Sequence, residues 1–168
     1  MVGLPLQLVG LTVFVLAFGW GWRRMAWRWR QLAAVYGPGL AGIGEPLEQR
    51  RMQNLILLSG WAGWESHQGI TTIAVHETGL KFSLLFPFSL DRGAFFIPFE
   101  DLTVTRQDWY LDGESLELEP RHRSDVKIIL GQSQMDWIEA AAGERWNAGY
   151  SLLHRVPRIH QGGSGEPT

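Results

Sequence analysis

Leu102-Thr103-Val104-Thr105-Arg106-Gln107-Asp108-Trp109-Tyr110-Leu111-Asp112-Gly113-Glu114-Ser115-Leu116-Glu117-Leu118-Glu119 decides the fold class of this chain. The run Leu102–Tyr110 is rich in β-branched and aromatic side chains, which suit a pleated, half-buried surface. Asp112-Gly113 is a strong hairpin signal, because two-residue turns need φ > 0 at their central positions. In Glu114–Glu119 the two leucines alternate with polar residues, so one face is dry and the other wet. The pattern predicts an antiparallel hairpin.

Outward from that hairpin, short apolar or alternating runs bounded by turn signals continue in both directions. Val126–Leu130 follows it. Ala94–Phe99 precedes it, and Pro98 assigns that run to a sheet edge or a bulge, since proline cannot donate to a ladder. Ile70–His76 and Leu80–Phe86 flank Glu77-Thr78-Gly79, a tight-turn signal, and read as a second hairpin. Asn54–Ser59 is a further short apolar run, which makes seven predicted strands. After them Ser133 reads as an N-cap with Asp136 in the first turn, opening a helix that runs to about Trp146 or Asn147. Met135, Ile138, Ala142 and Trp146 recur at helical spacing and face the sheet as core.

The opening of the chain is different in kind. From Val2 to Trp22 no residue is charged, and as a helix those residues would span about 30 Å, the thickness of a bilayer's hydrocarbon core. Leu8–Phe18 is apolar on nearly every face, and Pro5 falls in the first turn, where its missing N–H costs little. The expectation is therefore an uncleaved transmembrane helix over 1–22. At its end and just behind it Trp20, Trp22, Trp27 and Trp29 interleave with Arg23, Arg24, Arg28 and Arg30. Aromatic and basic residues of this kind suit a membrane interface, and arginines massed after the span keep that side cytoplasmic. These eight residues are the predicted membrane-interface set. Trp27 and Trp29 have a second reading, as core of the domain that follows. The bilayer is the expected partner of the span, and a bacterial inner membrane with the N-terminus outside and the domain in the cytoplasm is the expected location.

The divisions that follow are a transmembrane helix over 1–22, a juxtamembrane helix and linker over 23–53, a β domain with its C-terminal helix over 54–148, and an extended tail over 149–168. Within the second, Trp27–Tyr36 has good helix formers, residues 37–46 are linker-like in glycine and proline, and Glu45–Met52 is compatible with a helical turn.

Composition narrows the function. Residues 1–30 carry four arginines and no acid, whereas the remainder carries eleven basic and seventeen acidic side chains. An acidic domain argues against a nucleic-acid surface. There is no cysteine, which excludes disulfides, thiolate metal sites and thiol nucleophiles.

Glu77-Thr78-Gly79-Leu80-Lys81-Phe82-Ser83, with Phe96-Ile97-Pro98-Phe99-Glu100-Asp101-Leu102 after it, resembles the core of bacterial pleckstrin-homology and GRAM domains. Those domains have seven strands closed by one C-terminal helix, and the resemblance covers roughly residues 54–147. It implies a PH-like barrel or sandwich behind a single N-terminal span, acting as a scaffold, adaptor or lipid-proximal module, and it implies no catalytic residue. Lipid-binding members carry a basic first hairpin. Here Ile70–Phe86 offers Lys81 alone, which speaks against phosphoinositide binding.

The chemistry-bearing residues form no recognisable constellation. His67, His76, His122, His154 and His160 are scattered, and no H-x-x-x-H or H-E-x-x-H spacing exists. His76-Glu77 reads as a solvated turn pair, Asp91-Arg92 as a surface pair, and Arg121-His122-Arg123 as a solvated loop. No G-x-S-x-G, P-loop or G-x-G-x-x-G is present. No catalytic residue, metal site or cofactor is expected, and the uncharged opening segment, lacking histidine, is not expected to hold a tetrapyrrole. The function expected is that of a non-catalytic, membrane-anchored accessory subunit of a larger membrane complex, with photosynthetic and respiratory assemblies as hosts. The alternative is a tethered adaptor that binds lipid or a peptide.

Overall fold

The computed structural model describes residues 9–13, 26–60, 63–111 and 113–148. Seven strands run in order: β1 Glu48–Ser59, β2 Gly63–Val75, β3 Gly79–Leu84, β4 Phe95–Pro98, β5 Leu102–Leu111, β6 Gly113–Pro120 and β7 Val126–Gly131. Helix α1, Trp27–Tyr36, precedes them, and helix α2, Gln132–Ala142, follows and leads into a 3-10 segment, Gly143–Ala148. The strands form one antiparallel sheet in the order β4-β3-β2-β1-β7-β6-β5, curled into a nearly closed barrel.

Strand β1 is the hinge of this order. It pairs with β2 along most of its length, and Ile56–Ser59 also pairs with Ile129–Val126 of β7. Two irregularities let it curve. Between Arg50 and Gln53 one extra residue bulges out of β1, and Met52 takes φ 57 there with its side chain 71% exposed. Between Gln53 and Leu55 the surplus lies in β2, around Gly69, whose N–H donates to Asn54 Oδ1 at 2.8 Å.

Inward-facing residues alternate along each strand, as a pleated sheet requires. Leu55 and Leu57 of β1, Ile73 and Val75 of β2, Leu80 and Phe82 of β3, Leu116 and Leu118 of β6, and Ile128 and Leu130 of β7 fill the barrel. Phe82 stacks on Phe95 with ring centroids 5.1 Å apart. Gly79 is required where β3 meets β4: it pairs with Pro98, and a Cβ there would overlap the Ile97 carbonyl. One end of the core is closed by Met135, Trp137, Ile138 and Ala142 of α2, with Trp146 beyond it.

Several expectations need correcting. The fold class of a membrane span plus a β domain is overturned. Among the described residues no helix is long and apolar enough to cross a membrane, and the transmembrane and single-pass assignments fall with it. Residues 9–13 are helical, and the remainder of the expected span lies outside the described residues. Of the tryptophans after it, Trp29 has another destination: α1 buries it with Leu32 and Tyr36 in the barrel core. The helical turn over Glu45–Met52 is not found, because β1 starts at Glu48, and the domain boundary drawn at residue 54 cuts through that strand. The C-terminal helix begins one residue before Ser133 and ends at Ala142. Gln134 Oε1 accepts the Gly131 N–H at 3.0 Å in place of a serine cap, and Gly143 at φ 59 stops the helix short of Trp146. The tail over 149–168 lies outside the described residues.

The positive φ of Met52 yields a direct prediction. A side chain in that conformation is strained and this one makes little of its exposed position, so Met52→Gly raises the unfolding free energy by about 0.5–1 kcal/mol in chemical denaturation. A loss of stability would show that the methionine holds the bulge by contacts.

Candidate functional site

The densest set of chemistry-bearing side chains lies where α1 crosses the start of β2 and the loop between β3 and β4. Glu65 and His67 occupy alternate positions of β2, opposite Leu57 and Leu55 of β1, so both point into the barrel. They are 8% and 3% exposed. Glu65 Oε1 lies 2.7 Å from His67 Nε2, and Glu65 Oε2 accepts the Arg28 backbone N–H at 3.1 Å. Both carboxylate oxygens are thus bonded, as a buried charge demands.

Trp29 covers the pair. Its indole meets the His67 ring edge-on, centroids 5.2 Å apart, and meets Phe95 in the same way at 4.9 Å. Its Nε1–H donates to the Gly93 carbonyl at 2.8 Å, which fixes the ring and ties α1 to the β3–β4 loop. Beside it Arg92 is buried, with Asp91 Oδ1 at 3.6 Å. Burial lowers the Arg92 pKa from its ordinary value and Arg30 adds to that, while the carboxylates of Asp91 and Glu65 pull it back up. Arg30 closes the ring with a loose contact to Asp91 at 3.8 Å.

Two further polar groups are sealed by the same helix and linker. Tyr36 Oη accepts the His122 N–H at 3.0 Å, and burial raises its phenol pKa. His122 and Arg121 both approach Asp101, at 3.4 and 3.9 Å. His76 is buried after β2 with Phe96 edge-on at 5.9 Å. Burial depresses its pKa and Lys81 contributes in the same direction, against a smaller upward pull from the Gly44 backbone.

The predicted interface residues separate. Trp20, Trp22, Arg23 and Arg24 lie outside the described residues. Trp27 is 60% exposed at the start of α1, whereas Trp29 is fully buried in the domain core. Arg28 is half-buried against Gly63, and Arg30 pairs with Asp91. Glu65-Ser66-His67-Gln68 is polar throughout, so its sequence carries no apolar alternation to announce two inward-facing residues. The only local signal was period-two continuity with Ile70–His76. His76 and Arg92, read as members of surface pairs, are both buried.

Chemically the cluster is closed. The side chains of Glu65, His67 and Arg92 are 6%, 3% and 4% exposed, so a substrate meets none of them in this conformation. Among the described residues no three His, Cys, Asp or Glu side chains gather into a metal site. What the cluster does is clamp α1 onto the barrel. No protein-family model matches the chain, and no curated protein matches it. Among solved structures it is similar to the crystal structure of the C-terminal domain of an unknown protein from Leishmania infantum, at 16% identity and a TM-score of 0.42, over 66% of this chain and 90% of that one.

Two predictions follow from the clamp and from His76. Trp29→Ala destabilises the fold by about 3–5 kcal/mol in denaturant titration, whereas Trp27→Ala stays within about 0.5 kcal/mol. Equal effects would mean that α1 is not part of the folded unit. For His76 the folded state prefers the neutral ring, so its contribution is present above the ordinary value of 6.5 and is lost as pH falls through the lowered folded-state pKa. Between about pH 7.5 and pH 5 the wild type therefore loses more stability than His76→Gln. Parallel curves would show that His76 does not contribute to acid sensitivity.

Proposed function

We propose that this chain is a non-catalytic accessory subunit whose barrel domain docks on another protein of a larger assembly. The observation that carries the reading is a contrast of exposure. Glu65, His67 and Arg92 are buried and committed to contacts inside the domain, while Phe86 and Leu90, four residues apart on the β3–β4 loop, are 78% and 75% exposed. Large apolar side chains held in water on a loop tied to a rigid scaffold are what a protein-binding surface requires. Trp27, 60% exposed, opens α1, the helix tied to that loop through Trp29 and Arg30.

One feature favours an adaptor that takes a peptide strand. β5 is ten residues long and pairs with β6 alone, so its other edge is available for strand addition among the described residues.

Affinity purification of the tagged full-length chain from its native host, with mass spectrometry, tests the proposal. The wild type should recover a stoichiometric partner that the Phe86→Ser/Leu90→Ser double variant loses, with no change in unfolding midpoint. A chain recovered alone argues against an accessory role, and a partner retained by the folded double variant moves the contact elsewhere, the β5 edge first.

A further inference from the structure

Arginine pairing across the described residues is uneven. Arg30, Arg50, Arg92, Arg121, Arg123 and Arg145 each lie within 4.0 Å of a carboxylate. Arg28 and Arg51 have no such contact among the described residues, and Arg51 is exposed, so water solvates it. Arg28 is half-buried, and its Nε is shut off from solvent with no hydrogen-bond partner. A guanidinium with no carboxylate within reach among the described residues can take an anion, and partial exclusion of water strengthens such a contact.

The seat of this guanidinium is built. It rests on Gly63 at the start of β2, in space that a Cβ would occupy. The Arg28 backbone is pinned from the other side by Glu65, and Trp29, next in sequence, is locked in the core. The side chain is therefore carried on a fixed helix turn. Its surroundings are positive within an acidic chain: at this junction three guanidiniums, of Arg28, Arg30 and Arg92, face two carboxylates, of Glu65 and Asp91. Exposed Trp27 precedes Arg28, and the loop bearing Phe86 and Leu90 is tied to the same helix through Asp91 and Gly93.

We infer that Arg28 is a docking residue for a partner protein, receiving an Asp or Glu carboxylate flanked by apolar side chains that lie against Trp27. The inference rests on the docking role proposed above and names the chemistry of the contact. The carboxylate completes the unpaired guanidinium, and desolvation of the pair by the surrounding apolar side chains strengthens it.

A random linear-peptide library displayed on phage and selected on the full-length chain tests this. Enriched peptides should carry an acidic residue next to aromatic or aliphatic ones. Arg28→Gln should weaken a selected peptide by about tenfold in fluorescence titration, and Arg51→Gln should leave it unchanged. Gly63→Ala should weaken it by a similar factor although Arg28 is intact, because the new methyl group displaces the guanidinium. Circular dichroism and unfolding midpoints establish that each variant is folded. Binders without acidic residues, or binders indifferent to both Arg28→Gln and Gly63→Ala, overturn the assignment and leave the docking role standing. A library that yields no binder counts against both.

Discussion

Everything in this fold hangs on β1 being shared. It is the one strand that reaches both halves of the sheet, bonded to β2 through its length and to β7 over Ile56–Ser59. Without that short second ladder, β2-β3-β4 and β5-β6-β7 are two meanders with no common core. Because the ladder exists, Leu55 and Leu57 face Leu116, Leu118, Ile128 and Leu130 across one interior. Bending β1 far enough to serve both halves needs the bulge at Met52 and the surplus around Gly69. The backbone irregularities are thus conditions of closure.

A curled sheet still leaves an open side and an open end, and helices supply the cover. The two helices do so by different physics. α2 brings an apolar stripe, Met135, Ile138 and Ala142, whose burial is rewarded wherever an apolar surface is offered. α1 brings two large aromatics and a leucine, but its position is set by directional bonds: Trp29 to the Gly93 carbonyl, Arg28 N–H to Glu65, Tyr36 to His122. Burying the Glu65–His67 pair costs desolvation that its own hydrogen bond offsets only in part. Its return is orientation, since it sets where the first turn of α1 lies and therefore where Trp27 and Arg28 are presented.

The hairpins were legible because their information is local. Alternation at Leu116 and Leu118 and Gly79 after Glu77-Thr78 act within a few residues, and the strands beside them pair as hairpins, while Gly113 belongs to β6, opposite Leu111. The first half of β2 was not legible. Glu65 and His67 are polar residues facing inward, and a polarity pattern assigns such residues to water. Likewise Glu48–Met52 has no apolar alternation to announce a strand, and it is held as one by its pairing with β2. Trp29 is ambiguous in the sequence for a related reason. An aromatic side chain with a polar N–H suits a lipid interface and a capped barrel equally well, and Trp29 took the barrel.

By itself the sequence determined the number of strands and the closing helix with its inward stripe, which depend on spacing along the chain, and the exclusion of cysteine chemistry, which depends on composition. Tertiary structure alone decided that Trp29 is core and Trp27 is surface, that His76 and Arg92 are buried, and that the Arg28 guanidinium lies on Gly63 with no carboxylate paired to it among the described residues. The reason is separation. Trp29 is held by a carbonyl 64 residues away and Arg28 by a carboxylate 37 residues away, and no window of sequence contains both members of either pair.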